Sequence, residues 1–476
     1  MKKVFCLALA LLMLLPMIAC SKQEEAPAAD STTALEGLHI GYAREKIMPD
    51  MAQEIPLAGY GNETHRLAQD YLDYLYITCI AFTEGDQTVL LMTHDQISSN
   101  ETVVGQIREG INAKTGIPKE NILISATHSH STPALGFTDY PGIVAYRELM
   151  VEMGISAGMK ALEDRAPSTM YGGYTTVDGL NFIRHYLMND GTYYGSNFGS
   201  PNSGYKDHAT DNDPTVGLLK VEREGDKDDI LLMNFQAHPC NTGGIDKHSI
   251  SADYIATTRN AVENQTGMLF AFFLGAAGNH NANSWMDSDR HHLDNEAYGQ
   301  KLAKAAIDAL PTLVKIEGSG IETSYQEFNY AMNKEDLDKL EQAKEVNELF
   351  KTTGNRDAGN ALAYQYGLSS VYHASAIIGR STYPETWHYP IHATRIGNFS
   401  FVNAPYEMFA ASGKYIRDSS PFQTTFVISC SNDSEGYFPT LDAFEYGCYE
   451  SFTCAYARGV AEDTADALVA LLKGLQ

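Results

Sequence analysis

Ile122-Leu123-Ile124-Ser125-Ala126-Thr127-His128-Ser129-His130-Ser131-Thr132-Pro133 is a short apolar run that passes directly into two histidines two residues apart. An uncharged, β-branched apolar run of this kind reads as a strand. With extended geometry continued past Ala126, side chains at i and i+2 share a side. The spacing therefore predicts that His128 and His130 point to one place. A metal site needs that arrangement, although an HxH pair alone is a weak signal.

Working outward, Thr102 to Ala113 reads as a helix that ends before Pro118. Leu38 to Ala43, Tyr74 to Phe82 and Thr88 to Met92 read as strands, the last two joined in a hairpin through Glu84-Gly85-Asp86. Ile230 to Phe235, Met268 to Leu274 and Phe399 to Val402 are apolar runs of the same kind, and Met408 to Arg417 reads as a helix. Strands alternating with helices predict an α/β class, a layered α/β sandwich with mixed sheets flanked by helices. Asn333 is placed to cap a helix carrying Leu337, Leu340, Ala343 and Val346 on one face. Ala461, Ala465, Leu468 and Leu472 repeat at helical spacing near the C-terminus. Asn181 to His208, rich in Tyr, Asn and Gly, reads as a long loop used for binding.

The N-terminus has Lys2 and Lys3, an apolar stretch from Val4 to Ile18, and Ala19-Cys20. The stretch is shorter than the ~20 residues that span a bilayer, so residues 1–19 read as a secretory signal. Met17-Ile18-Ala19-Cys20 resembles a lipobox, with Cys20 as the lipidated first residue of the mature chain. Residues 20–36 are small, polar and Pro-containing, a flexible tether. With no internal repeat and no second tether, residues 37–476 read as a single large catalytic domain. The expected location is the cell envelope, membrane-anchored through the lipid; Ser21 after Cys20 favours the outer membrane where the cell has one.

The net charge is −26, which excludes nucleic acid as a partner and, taken over the whole chain, favours a neutral or cationic substrate. Bound metal can invert that sign locally. Beyond Cys6 and Cys20 five cysteines remain, with no CxxC pair to suggest a structural zinc ribbon. Cys448 and Cys454 are candidates for a disulfide in an oxidising compartment.

Other apolar runs end as Ile122 to Ala126 does. Ile230 to Phe235 leads to Gln236-Ala237-His238-Pro239, and Met268 to Leu274 to Gly275-Ala276-Ala277-Gly278-Asn279-His280-Asn281. Phe399 to Val402 leads to Asn403-Ala404-Pro405-Tyr406-Glu407, and further on comes Gly436-Tyr437-Phe438-Pro439-Thr440. Ligands gather beyond the carboxyl ends of strands, so His128, His130 and His238 occupy analogous positions. Glycines in the third segment let a backbone approach closely, and Glu407 supplies a carboxylate.

Gly41-Tyr42, Leu57-Ala58-Gly59-Tyr60, Ser125 to His130, Asn181 to Arg184, Asp213-Pro214-Thr215-Val216-Gly217, Ala237-His238-Pro239, Gly275 to Asn283, Glu407 and Tyr437 follow in an order met in one family. Over roughly residues 38 to 460 the chain resembles the N-terminal catalytic domain of the neutral, non-lysosomal ceramidases. The resemblance implies a single zinc held by His128, His238, Glu407 and Tyr437, with Tyr446 and Tyr449 as alternative phenolic ligands. It implies that His130 is an acid/base group or stands behind the ligands, and that Arg184 faces the substrate. The family's Gly-Asp-x-Ser-Pro-Asn element reads Gly278-Asn279-His280-Asn281-Ala282-Asn283 here, so Asn281 stands where some members place a serine. The resemblance stops short of the family's C-terminal immunoglobulin-like domain.

The resemblance implies a zinc-dependent hydrolase in which zinc-bound water attacks the amide of an N-acylated amine, ceramide included. Arg184 or a neutral Tyr would steady the oxyanion and His130 would move the proton to the leaving amine. No HExxH helix supplies a Glu base. Two alternatives stay open: the same fold acting on an ester or sugar-derived substrate, and a lipid-anchored binding protein without turnover.

Overall fold

The computed structural model describes residues 35–476 except 62–64, 196–202, 243–245 and 285–292. The signal, Cys20 and most of the tether lie outside the described residues. Leu35–Gln476 forms one compact unit. Leu35 and Glu36, expected in the tether, instead open the first strand, where Leu35 pairs with Gly85.

The larger sheet is built from β1 (Leu35–Lys46), β2 (Tyr76–Gly85), β3 (Gln87–His94), β4 (Ile122–Ala126), β5 (Ala166–Thr176), β6 (Thr215–Arg223), β7 (Ile230–Phe235) and β8 (Leu269–Leu274). Their order across it is β8-β7-β6-β5-β1-β2-β3-β4, with Val314–Lys315 added beside β5. The centre is antiparallel, while β3/β4 and β7/β8 at the two edges are parallel. The predicted hairpin joins β2 to β3. A second sheet runs β9 (Ile321–Ala331), β10 (Thr386–Ile396), β11 (Phe399–Asn403), β12 (Thr424–Ile428).

Alternation along each strand sorts the core into layers. Leu231, Met233 and Phe235 of β7 pack with α3 (Tyr254–Thr266) and α4 (Asn295–Ala309). Ile230 and Leu232, on the other side of the same strand, meet Phe401, Phe426 and Ile428 of the second sheet. Near the other edge, Leu90, Met92, Ile122 and Ile124 cover α1 (Glu101–Thr115) and α2 (Pro141–Glu163). The outer side of the second sheet takes α9 (Val460–Gly474) through Ala461, Ala465, Leu468 and Leu472, and α8 (Ala410–Ser419) through Ile416. The result is the expected layered α/β sandwich. Burial on both faces explains why these strands read as continuous apolar runs.

Ser429–Asn432, leaving β12, closes the larger sheet. Ser429 N–H donates to Leu274 O of β8 at 3.0 Å. Ala126 N–H of β4 donates to Cys430 O at 3.0 Å, and Asn432 N–H to Ile124 O at 2.7 Å. The crossing needs left-handed backbone at Cys430 and Asn432 (φ 53° and 66°). It brings the ends of β4 and β8, the outermost strands of their sheet, to one place.

Several local expectations are revised. Asn333 caps no helix: its Oδ1 accepts from Glu335 N–H and its Nδ2 donates to Cys454 O. The left-handed turn at Asp336 (φ 61°) separates it from α5 (Leu340–Thr353), which a 3-10 turn at Leu337–Lys339 introduces. α5, α6 (Arg356–Gln365) and α7 (Val371–Arg380) form a helical insertion between β9 and β10 with its own small core. The helix expected at Met408 starts at Ala410, because Glu407–Met408 is a short strand. Asn181–His208 is not a loop throughout: His185–Met188, Tyr193–Gly195 and Tyr205–His208 pair in a three-stranded sheet. Cys448 and Cys454 are both free and buried, not bonded. The Cys448 side chain caps the Tyr449–Thr453 helix. Among the described residues no helix is long and apolar enough to cross a membrane.

Candidate metal centre

The extended run stops at Ala126. Thr127 N–H donates to His94 O and His128 N–H to Gln96 O, and His128 takes left-handed backbone, φ 69°. A non-glycine residue in that region is held there by its surroundings. His128 and His130 therefore do not converge by strand alternation, as expected from sequence, but through a backward turn that sets their ring centroids 5.1 Å apart. His130 is held by its N–H on Pro239 O, and its ring lies against Tyr60 and the Cα of Gly59.

His238 follows β7 and donates its N–H to His280 O. Gly278 N–H donates to Met408 O, and an added Cβ there would stand 2.6 Å from Glu407 O, so the close approach requires glycine. Glu407–Met408 pairs in parallel with Tyr437–Phe438, which places Glu407 beside Tyr437 across 29 intervening residues.

Three ligand atoms meet at the centre. His128 Nε2 is 3.1 Å from His238 Nε2, and Glu407 Oε2 is 3.1 Å from each. Tyr437 Oη is 3.4 Å from His238 Nε2. The opposite nitrogens are occupied: His128 Nδ1 donates to Ile97 O at 2.5 Å and His238 Nδ1 to Ala277 O at 2.7 Å. Backbone carbonyls on Nδ1 fix the tautomer that leaves each Nε2 lone pair pointing inward. Two lone pairs and a buried carboxylate then face each other without a shared donor, which requires a positive charge among them. Burial opposes protonation of His128, but the Glu407 carboxylate outweighs it and holds the ring well above the usual histidine range. Burial is likewise outweighed at Glu407, held far below the carboxylate range by His128. Burial and Arg184 push His238 down to about 4. A cation satisfies this set better than one proton does. Ligands bonded to zinc at about 2.0–2.1 Å in a tetrahedron stand about 3.4 Å apart, near the spacings here. The residues fit a zinc ion.

The cluster floors a cavity of about 670 Å³ lined by His130, Arg184, Asn281, Tyr437 and Tyr449 among others, a size suited to a small ligand. Among the described residues both ring nitrogens of His130 lack a hydrogen-bond partner, and burial with the neighbouring imidazoles holds the ring well below the usual range, so it is neutral. Arg184 donates its N–H to Asn279 O and sets its guanidinium 5.3 Å from the Tyr437 ring centroid. Asn281 sits on the short strand His280–Asn281, bridged to His238. Of the three tyrosines weighed, Tyr446 is turned away, its hydroxyl on His185 Nδ1 at 2.9 Å; Tyr449 lines the cavity 5.7 Å from Tyr437. Burial raises the Tyr449 phenol, keeping it neutral.

One group escaped the sequence reading. Glu450 is buried behind Arg184, with His185 on its other oxygen. Glu450, His185 and Cys448 also lie close enough to suggest metal ligation. The Arg184 guanidinium on Glu450 already supplies the charge a cation would bring. The signal available was Arg184-His185 and Cys448-Tyr449-Glu450, polar residues that no apolar pattern explains.

This arrangement of layers and strand ends has solved counterparts. A neutral ceramidase from Pseudomonas aeruginosa matches with a TM-score of 0.69 at 15% identity, over 92% of this chain and 74% of that one. The chain has the fold of a neutral ceramidase. A ceramidase solved in complex with C2 matches with a TM-score of 0.68 at 16% identity, over 92% and 75% of the two chains. No family model matches the chain, and no curated protein matches it in sequence.

Proposed function

We propose that the protein is a zinc-dependent hydrolase that cleaves the amide bond of an N-acylated amine. One observation carries this reading: two imidazole Nε2 atoms and a carboxylate oxygen converge at 3.1 Å at the base of a cavity, with each Nδ1 tied to backbone. His128, His238, Glu407 and Tyr437 would hold the ion. Zinc bound there supplies Lewis acidity, polarising a carbonyl and acidifying water to a pKa of about 7.

The remaining steps belong to this chain's own side chains. His130, neutral and without a hydrogen-bond partner among the described residues, takes the proton of the attacking water and passes it to the leaving amine. Arg184 and the neutral Tyr449 phenol face the cavity and steady the oxyanion. Asn281 has an amide in place of a hydroxyl, so it contributes hydrogen bonds and not a nucleophile. Leu135, Phe137 and Ile97 give the cavity an apolar wall for an acyl chain.

Zinc stoichiometry and fatty-acid release from short N-acyl amines test this reading. We expect one zinc per chain, lost in His128→Ala and Glu407→Ala together with release. Full zinc retention in both variants overturns the centre; zinc without release from any acylated amine overturns the amidase.

A further inference from the structure

The cavity has a charge balance opposite to that of the chain. Over the whole sequence 60 acidic residues outnumber 34 lysines and arginines. Among the described residues that line the cavity, Glu407 is the only carboxylate, against the two guanidiniums of Arg184 and Arg356. The two arginines are not equivalent. Arg184 is buried, and Glu450 behind it takes up its charge. Arg356 is exposed, and among the described residues no carboxylate or carbonyl engages its guanidinium.

An unpartnered surface arginine is ordinary; the position of this one is not. Arg356 opens α6 on the helical insertion, and the insertion is docked over the cavity by Tyr372, whose hydroxyl donates to Tyr60 O at 3.0 Å. The N-terminus of α6, capped by Asn355 on Ala358 N–H, adds its positive dipole end at the same point. The neighbouring Asp357 does not line the cavity. A ligand reaching inward meets a cation at the mouth, the apolar wall of Leu135 and Phe137, and the His128–His238–Glu407 cluster.

We propose that Arg356 is an anion subsite and that the substrate is an N-acyl amine bearing a carboxylate, as an N-acylated amino acid does, in contrast to a neutral lipid amide. The inference rests on the amidase reading above. A guanidinium presents a planar fork that takes a carboxylate bidentately. The acidic surface elsewhere repels the same carboxylate, so the mouth is where an anionic substrate is gathered. Whole-chain charge, which favoured a neutral or cationic substrate, gives way to the local balance.

N-octanoylglycine and N-octanoylethanolamine share an acyl chain and differ by one charge. We expect the wild type to prefer the glycine conjugate in kcat/KM, and Arg356→Gln to lower that preference about tenfold, through KM. Arg356→Glu should reverse it. An unchanged preference in both variants overturns the subsite. If neither amide is cleaved, the amidase reading falls, and calorimetric titration of N-octanoylglycine still decides the subsite. Binding about tenfold weaker in Arg356→Glu than in wild type supports it; equal binding, or none to wild type, overturns it.

Discussion

Glu450 carries Arg184 on one carboxylate oxygen and His185 on the other: Arg184 Nε donates to Oε1 at 2.6 Å, and His185 Nε2 pairs with Oε2 at 2.7 Å. Burial of Glu450 is outweighed by Arg184, which holds the carboxyl well below the usual range. Glu450→Gln keeps the shape but removes the charge, leaving a buried guanidinium without compensation. Such a loss costs about 3–5 kcal/mol. We expect a urea midpoint lowered accordingly, kcat reduced more than tenfold as the guanidinium leaves its place, and zinc content unchanged. Wild-type stability and kcat in the variant would remove Glu450 as a positioning residue.

Acid sensitivity should arise partly outside the metal cluster. Burial depresses His392 from 6.5 to about 3, and among the described residues neither of its ring nitrogens has a hydrogen-bond partner. A depressed folded pKa means that the unfolded chain binds the proton first. This contribution to stability is complete above about pH 6.5 and is lost as pH falls toward about 3. Each such proton adds a slope of about 1.4 kcal/mol per pH unit within that window. His392→Leu should therefore lose less stability than wild type between about pH 6 and pH 4, measured by denaturant unfolding at each pH. Parallel wild-type and variant curves would show that His392 titrates normally.

The apolar runs were legible as strands because burial on both faces leaves no charged residue in them, and their ends marked His128, His238 and Glu407 as neighbours. The route by which His128 reaches its place was not legible. Its left-handed backbone depends on Gln96 O and on the Ser429–Asn432 crossing, contacts hundreds of residues apart in the second case. The pairing of Glu407 with Tyr437 rests on strands of two residues, too short for any periodicity. Asn333 was misread because a capping residue before apolar spacing looks the same whether or not a turn such as Asp336 intervenes. Glu450 was missed because a buried acid leaves no mark in sequence until its arginine is known.

Gly59 tests how closely His130 is held. It has φ +116°, and an added Cβ would stand 2.8 Å from the His130 Cβ, Cγ and Nδ1. Gly85 in the β2–β3 hairpin has φ +62° with nothing within 4 Å of an added Cβ. Alanine at either site strains the backbone by about 1–2 kcal/mol, but only at Gly59 must a side chain of the cavity also move. Gly85→Ala should lower the melting temperature only slightly, about 1 °C per kcal/mol for a unit of this size, at wild-type kcat. Gly59→Ala should lose kcat by more than tenfold while retaining zinc, since His130 is displaced and His128, His238 and Glu407 are not. Loss of zinc in Gly59→Ala would make His130 part of the ligand set instead of the proton carrier. Equal kcat in the two variants would show that the His130 ring has room the geometry denies it.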